Sequence, residues 1–211
     1  MITNRSIDHL VYAVPDFNAA LDDIEEMLGI RPQFGGRHLR QGTKNALLHL
    51  GEACYFEVLA IDEENLHIKG PRWMGVDLIT APKLTRWCLK SSNLVEDSAV
   101  LRAYHPTMGQ LQGGQRQLTN GELLKWEMAL PLSEPAVEII PFMADWAHSS
   151  IHPTDQLAPS CELVNLQLTH PHPGQVLPTL RQLSLGNAVE EGAAASIRAT
   201  IRGPKGTVVF Y

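Results

Sequence analysis

Two side chains near the start of the chain are of types that do chemistry together. His9 lies in Ile7-Asp8-His9-Leu10-Val11-Tyr12-Ala13-Val14, and Glu57 lies in Ala53-Cys54-Tyr55-Phe56-Glu57-Val58-Leu59. Both stretches read as strands, and a neutral imidazole and a carboxylate are residue types that suit Zn, Fe(II), Mn, Ni or Co. The bland alternative is a histidine held in place by a hydrogen bond. What separates the two readings is whether the chain brings the strands together.

The elements that must do so form a repeat. The strand at Ile7 leads through Pro15-Asp16 into a helix from about Asn18 to Leu28, with Asp16 available as N-cap and Gly29 as the stop. A Gly35-Gly36 segment and two further strands, ending at Leu59, complete a βαβββ unit. The order recurs from Leu84: strand to Lys90, turn Ser91-Ser92-Asn93, helix, Gly113-Gly114, a strand pair centred on Gly121, and a strand ending in Ala136-Val137-Glu138-Ile139-Ile140. A third, shorter copy overlays Leu163 to His172 on Ile7 to Asp16, adds a helix over Gln175 to Leu185, and ends in a hairpin turned at Gly203-Pro204-Lys205-Gly206. Repeats show which positions are equivalent in space. They place His9 and Glu57 on the first and last strands of one unit. The expected architecture is α+β: tandem βαβββ modules at approximately 6–61, 83–142 and 161–211, two full and one truncated, with curled, mostly antiparallel sheets in one body spanning 1–211.

Composition narrows the partners. A formal charge of -6 with no basic run argues against nucleic acid and against an anionic membrane surface. The chain enters a strand at once, without a charged n-region or an apolar h-region, and no apolar run approaches the roughly 18 residues that span a bilayer, so a cytoplasmic protein is expected. Three cysteines (Cys54, Cys88, Cys161) lack a C-x-x-C spacing and read as buried reduced thiols. The expected partner is a small molecule, with a homodimer as a further possibility.

Several motifs now come together: Ile7-Asp8-His9-Leu10-Val11 with Val14-Pro15-Asp16, Gly35-Gly36-Arg37-His38, Gly42-Thr43-Lys44-Asn45, Tyr55-Phe56-Glu57, and later Arg116, Gly121, Trp126 and His152-Pro153. In this order they resemble the glyoxalase-like domain proteins of the vicinal oxygen chelate superfamily, over nearly the whole chain. The resemblance implies paired βαβββ units curled into an open cup. It also implies a divalent metal held by a His or Glu from the first strand and a Glu from the last strand of each unit, with an open position for two adjacent substrate oxygens. His9 and Glu57 match one such pair. Fold alone does not choose among the isomerases, lyases, dioxygenases, epimerases and metal-free binding proteins of the group.

The second unit departs from this pattern. Aligning Asp16 with Asn93 puts Arg86 where His9 stands, and an arginine has no lone pair to give a metal; Glu138 is expected where Glu57 stands, as a third ligand or general base. Were the first unit instead to face the third, Asn165 would take the matching place. A full four-ligand set is missing either way, so a cup binding an anionic or oxygen-rich molecule through Arg86, Arg37, His38 or Arg116 competes with the metal reading. His38, Asn45 and His152 sit in motif-bearing loops and are expected to be polar groups of the pocket. His49 and His67 read as surface or core, and Trp73, Trp126 and Trp146 as packing.

Other chemistries find no support. Gly35-Gly36 and Gly113-Gly114 lack the sequel of a nucleotide-binding loop, there is no G-x-S-x-G or H-E-x-x-H, and His170 with His172 reads as a turn. The leading expectation is a metal-assisted lyase, isomerase or dioxygenase acting on a small oxygenated substrate in the sheet cup, with His9 and Glu57 as ligands. The runner-up is a metal-free binding protein for a small ligand, an anionic one being one option.

Overall fold

A computed structural model describes residues 5–65, 67–68, 70–117, 123–186 and 189–211, with only the backbone considered at 116, 117 and 123. The expected turn at Gly121 and the Arg116 side chain lie outside the described residues.

The first unit forms as its sequence dictates. β1 (Ile7–Ala13) leads into α1 (Phe17–Leu28), whose Asp16 N-cap accepts the Ala19 amide at 3.0 Å. Gly29 ends the helix at φ +81°, a left-handed conformation that costs glycine little. β2 (Gln33–His38), β3 (Thr43–His49) and β4 (Tyr55–Ile61) follow. β4 returns parallel to β1, with Glu57 opposite Val11.

The second unit comprises β5 (Lys83–Lys90), α2 (Leu94–Tyr104), β6 (Leu111–Gln117), β7 (Leu123–Ala129) and β8 (Phe142–Asp145), and Asn93 caps α2 as Asp16 caps α1. Both units share one eight-stranded sheet, in the order β2-β3-β4-β1-β5-β8-β7-β6. Its seam is the antiparallel pair β1·β5, where His9 faces Cys88, Leu10 faces Trp87 and Val11 faces Arg86. The shift of 77 residues that carries Asp16 onto Asn93 turns the first of these pairs into the third and leaves the middle one unchanged. The seam is therefore a local two-fold, and it makes Arg86 the spatial equivalent of His9.

One expected strand is displaced. Ala136–Ile140 is irregular, and the strand that closes the second unit is β8, beginning at Phe142. β8 places Phe142 beside Cys88 as β4 places Glu57 beside Val11, so Phe142, not Glu138, is the equivalent of Glu57. The physical reason is Arg86. Its guanidinium donates to the carbonyls of Thr85, Leu132, Glu134 and Ala136, which wraps the 132–136 segment around it before a strand can start.

The third segment starts like the others, with β9 (Glu162–His170) and α3 (Pro173–Gln182), and then takes its own strand order. Its sheet runs β10-β9-β11-β12, with β10 spanning Val189–Glu191, β11 Ser196–Gly203 and β12 Gly206–Phe210. The expected hairpin at Gly203–Gly206 is present. Phe210 packs on Tyr12 and Phe56, the outer side of the large sheet, and a Cβ at Gly203 would lie 2.6 Å from the Leu28 carbonyl. α1 and the small sheet thus cover the outer face, and the inner face carries the side chains at His9, Val11, Tyr55, Glu57, Arg86 and Cys88, of which Val11 and Cys88 also belong to the buried core.

Candidate functional site

Parity along β1 and β4 decides the site. His9, Tyr55 and Glu57 share the inner face, and the imidazole stacks on the Tyr55 ring with centroids 4.6 Å apart. Phe142 meets the imidazole edge-on at 5.2 Å. Between these rings His9 turns Nδ1 to Asp8 Oδ1 at 2.6 Å and Nε2 to Glu57 Oε2 at 3.8 Å. Glu57 accepts on its other oxygen from Asn45 Nδ2 at 2.6 Å. His38 stands beyond Asn45 with Nε2 3.4 Å from Asn45 Nδ2, its Nδ1 2.9 Å from the Thr43 hydroxyl and its ring edge-on to Trp73.

At the other end, Asp8 Oδ2 accepts from Trp146 Nε1 at 2.8 Å and lies 3.1 Å from His152 Nε2. His152 also caps the 3-10 turn at Pro153–Gln156. A polar chain therefore runs His38–Asn45–Glu57–His9–Asp8–His152 across β2, β3, β4 and β1 to the loop after β8. It unites five of the expected site residues with Asp8, to which the sequence alone assigns no role. The signal was its place beside His9, but nothing in the sequence showed that a residue of β1 would turn the same way as its neighbour.

Burial alone would raise the Asp8 carboxyl, but hydrogen bonds from His152 and His9 outweigh it and hold the group well below the usual carboxylate range. Burial, with Asp8 and Glu57 nearby, pushes the Cys88 thiol and the Tyr55 phenol far up. Asp8, His9 and Cys88 bring ligand atoms within 4.8 Å of one another. Yet both Asp8 oxygens already serve protein donors, and the Cys88 thiol is held protonated.

The His9–Glu57 pair is a better fit to an ion. Bonds of about 2.0–2.2 Å place two donors of one tetrahedral ion roughly 3.4 Å apart, close to the separation seen here. Nε2 and Oε2 face each other without a hydrogen bond between them. The remaining two positions of the cup, related by the seam two-fold, hold Arg86 and Phe142 and give no donors.

Three expected roles need correction. Arg86 is 1% exposed and gives both terminal nitrogens to four backbone carbonyls, which leaves only Nε without a partner among the described residues and no fork for a bidentate anion; burial lowers it to about 10, against the opposing pull of Glu138 and Glu134. Glu138 lies outside β8 and accepts from Tyr104 and the Ile140 amide, with burial raising its carboxyl. Arg37, one of the competing anion receptors, pairs with Asp62 and Glu64. The cleft of about 470 Å³ between β5, α2 and the end of α3, lined by Arg5, Lys90, Ser92 and Ser184, lies apart from the His9–Glu57 pair.

The glyoxalase-like domain matches residues 7–184. Among solved structures, a hypothetical protein from Staphylococcus aureus superposes with a TM-score of 0.65 at 12% identity, covering 97% of this chain and 98% of its own. A mutant 4-hydroxymandelate synthase from Streptomyces coelicolor gives 0.51 at 13%, over 99% of this chain and 63% of its own. Methylmalonyl-CoA epimerase from Mycobacterium tuberculosis gives 0.39 at 17%, over 68% and 87%. No curated protein matches the sequence. No helix among the described residues is long and apolar enough to cross a membrane. Matched by that model over residues 7–184, the chain belongs to the glyoxalase-like domain family.

Proposed function

We propose that the cup holds one divalent metal ion on His9 Nε2 and Glu57 Oε2 and acts as a metal-assisted lyase, isomerase or dioxygenase on a small oxygenated molecule. The observation that carries this reading is the facing pair of unbonded donors at 3.8 Å. When bound, the ion supplies Lewis-acid polarisation of substrate oxygens. The rest is done by the chain. Asn45 occupies Oε1 of Glu57 and so leaves Oε2 for the ion. Tyr55 and Phe142 enclose the imidazole and keep bulk water from it. His38, half-buried at the β2 end of the polar chain, and Asn45 are the groups proposed to meet the polar end of the substrate. With only two protein donors, most of the ion's positions remain for water or substrate oxygens.

The test is elemental analysis of the purified protein, followed by calorimetric titration of Zn(II), Mn(II) and Fe(II) into wild type, His9→Ala and Glu57→Gln. One ion per chain in wild type, and at least tenfold weaker binding in each variant, is the expected result. Wild type that takes up no ion, or His9→Ala that binds as tightly, overturns the reading. The presence of Arg86 and Phe142 at two of the four positions favours, in that event, a metal-free binding protein, which titration of small oxyacids into the same samples would detect.

A further inference from the structure

The seam between the two units contains a matched pair of β-bulges. On β1 the pairing steps from Ile7↔Leu89 to His9↔Cys88, leaving Asp8 as the extra residue; on β5 it steps from Val11↔Arg86 to Tyr12↔Leu84, leaving Thr85. A bulge inserts one residue and re-aims side chains near it. The two-fold that exchanges His9 and Arg86 also exchanges Asp8 and Thr85. Both bulged residues are fully buried, and the contrast lies in what they do. Thr85 Oγ1 has no hydrogen-bond partner among the described residues, while the Asp8 carboxylate meets three groups: His9, His152 and Trp146. The bulge belongs to the seam, but a carboxylate at the bulge occurs only beside the histidine.

We propose that Asp8 is the positioning residue of the site: it fixes His9 as the Nδ1–H tautomer with the Nε2 lone pair aimed at Glu57, and Trp146 and His152 hold it there. A carboxylate can only accept at its oxygens, so the 2.6 Å contact requires a proton on Nδ1; Nε2, with the Glu57 oxygen at 3.8 Å, has no acceptor within hydrogen-bond distance to hold a second one. The backbone alone does not impose this, because an imidazole between Tyr55 and Phe142 keeps the same ring plane in either tautomer. Trp146 donates to Oδ2 from the loop after β8, and His152 approaches the same oxygen from six residues further on. That loop is thereby tied to the site through Asp8 without touching the proposed ion. The expected effect on ion binding rests on the metal reading above; the statement about the His9 tautomer does not.

The tautomer is read directly from two-bond ¹⁵N–¹H correlations of the imidazoles in the metal-free, ¹⁵N-labelled full chain near neutral pH, with His9 assigned through His9→Gln. The expected spectrum shows His9 protonated at Nδ1 alone. Asp8→Asn should shift it toward Nε2–H and weaken Zn(II) binding roughly 10- to 100-fold, the range for a lost carboxylate partner of a ligating histidine. Trp146→Phe, which keeps a ring and removes the donor, should weaken binding several-fold. An Nε2–H or doubly protonated His9 in wild type overturns the proposal and needs no variant to fold. So does a folded Asp8→Asn that binds Zn(II) as wild type does. If Asp8→Asn switches the tautomer but no form of the protein binds an ion, the metal reading falls and the positioning role of Asp8 stands.

Discussion

The two halves of the large sheet are built on one plan and carry different side chains at equivalent positions. Around the seam the first unit presents His9, Glu57 and Asn45, and the second presents Arg86, Phe142 and Trp126. The glycine pairs show how closely the plans match. A Cβ at Gly35 would meet Asn45 Oδ1 at 2.4 Å, and one at Gly114 would meet the Trp126 indole at 2.4 Å, so in each unit a glycine makes room for a side chain from the neighbouring strand. In the first unit the accommodated group bonds to Glu57; in the second it joins Trp146 in an aromatic pair with centroids 6.0 Å apart. Equivalent positions thus preserve packing space and backbone register, while the chemistry placed in them diverges. A functional site assigned from one half cannot be copied to the other by symmetry.

The comparison is broken most severely at Arg86. Replacing it with Met leaves the carbonyls of Leu132, Glu134 and Ala136 without their donor, and urea unfolding should show a loss of about 3–5 kcal/mol. Metal affinity should stay within about threefold of wild type, given that the fold survives and 1.4 kcal/mol is a factor of ten. A tenfold change in affinity with little loss of stability would return Arg86 to the site.

Gly114→Ala should cost about 1–3 kcal/mol by overpacking against Trp126, with ion binding unaffected. Gly35→Ala should cost a similar amount and also weaken ion binding, because displaced Asn45 no longer holds Glu57. Equal behaviour of the two variants in the ion titration would show that the halves are not functionally distinct.

A donor can also be added to the silent half. Phe142→His puts an imidazole at the position equivalent to Glu57, and about tenfold tighter Zn(II) binding, or about 1.4 kcal/mol, is expected. Unchanged affinity would mean that Phe142 does not border the ion's place.

The smallest effect is one of pH. Burial raises the Glu138 carboxyl, so the folded protein holds that proton more tightly than the unfolded chain does. Its contribution to stability is present below the ordinary value of 4.5 and is lost as pH rises through the folded value. Glu138→Gln should flatten this part of the profile, as urea midpoints measured upward from pH 4 would show. Asp8 has the opposite sign: its lowered value gives stability above the ordinary 3.8 that disappears on acidification. A Glu138→Gln profile that parallels wild type would remove the contrast between the buried Asp8 and the half-buried Glu138.

The sequence by itself determined the local elements and their repetition. Asp16 and Asn93 cap, Gly29 stops, and the spacing from cap to first strand already placed Arg86 over His9, because these are short-range properties of residue type and strand period. It also pointed to His9 and Glu57, since both are fixed by the first and last strands of one unit. Tertiary structure decided what depends on residues far apart in the chain. The run Val137-Glu138-Ile139-Ile140 has the composition of a strand, but the buried Arg86, some fifty residues earlier, draws the carbonyls before it into its own hydrogen bonds and delays β8 to Phe142. Asp8 belongs to a strand by composition, and only the bulge formed against β5 turns it toward His9, Trp146 and His152. A buried charge takes whatever partners close around it, and strand alternation cannot say which those will be.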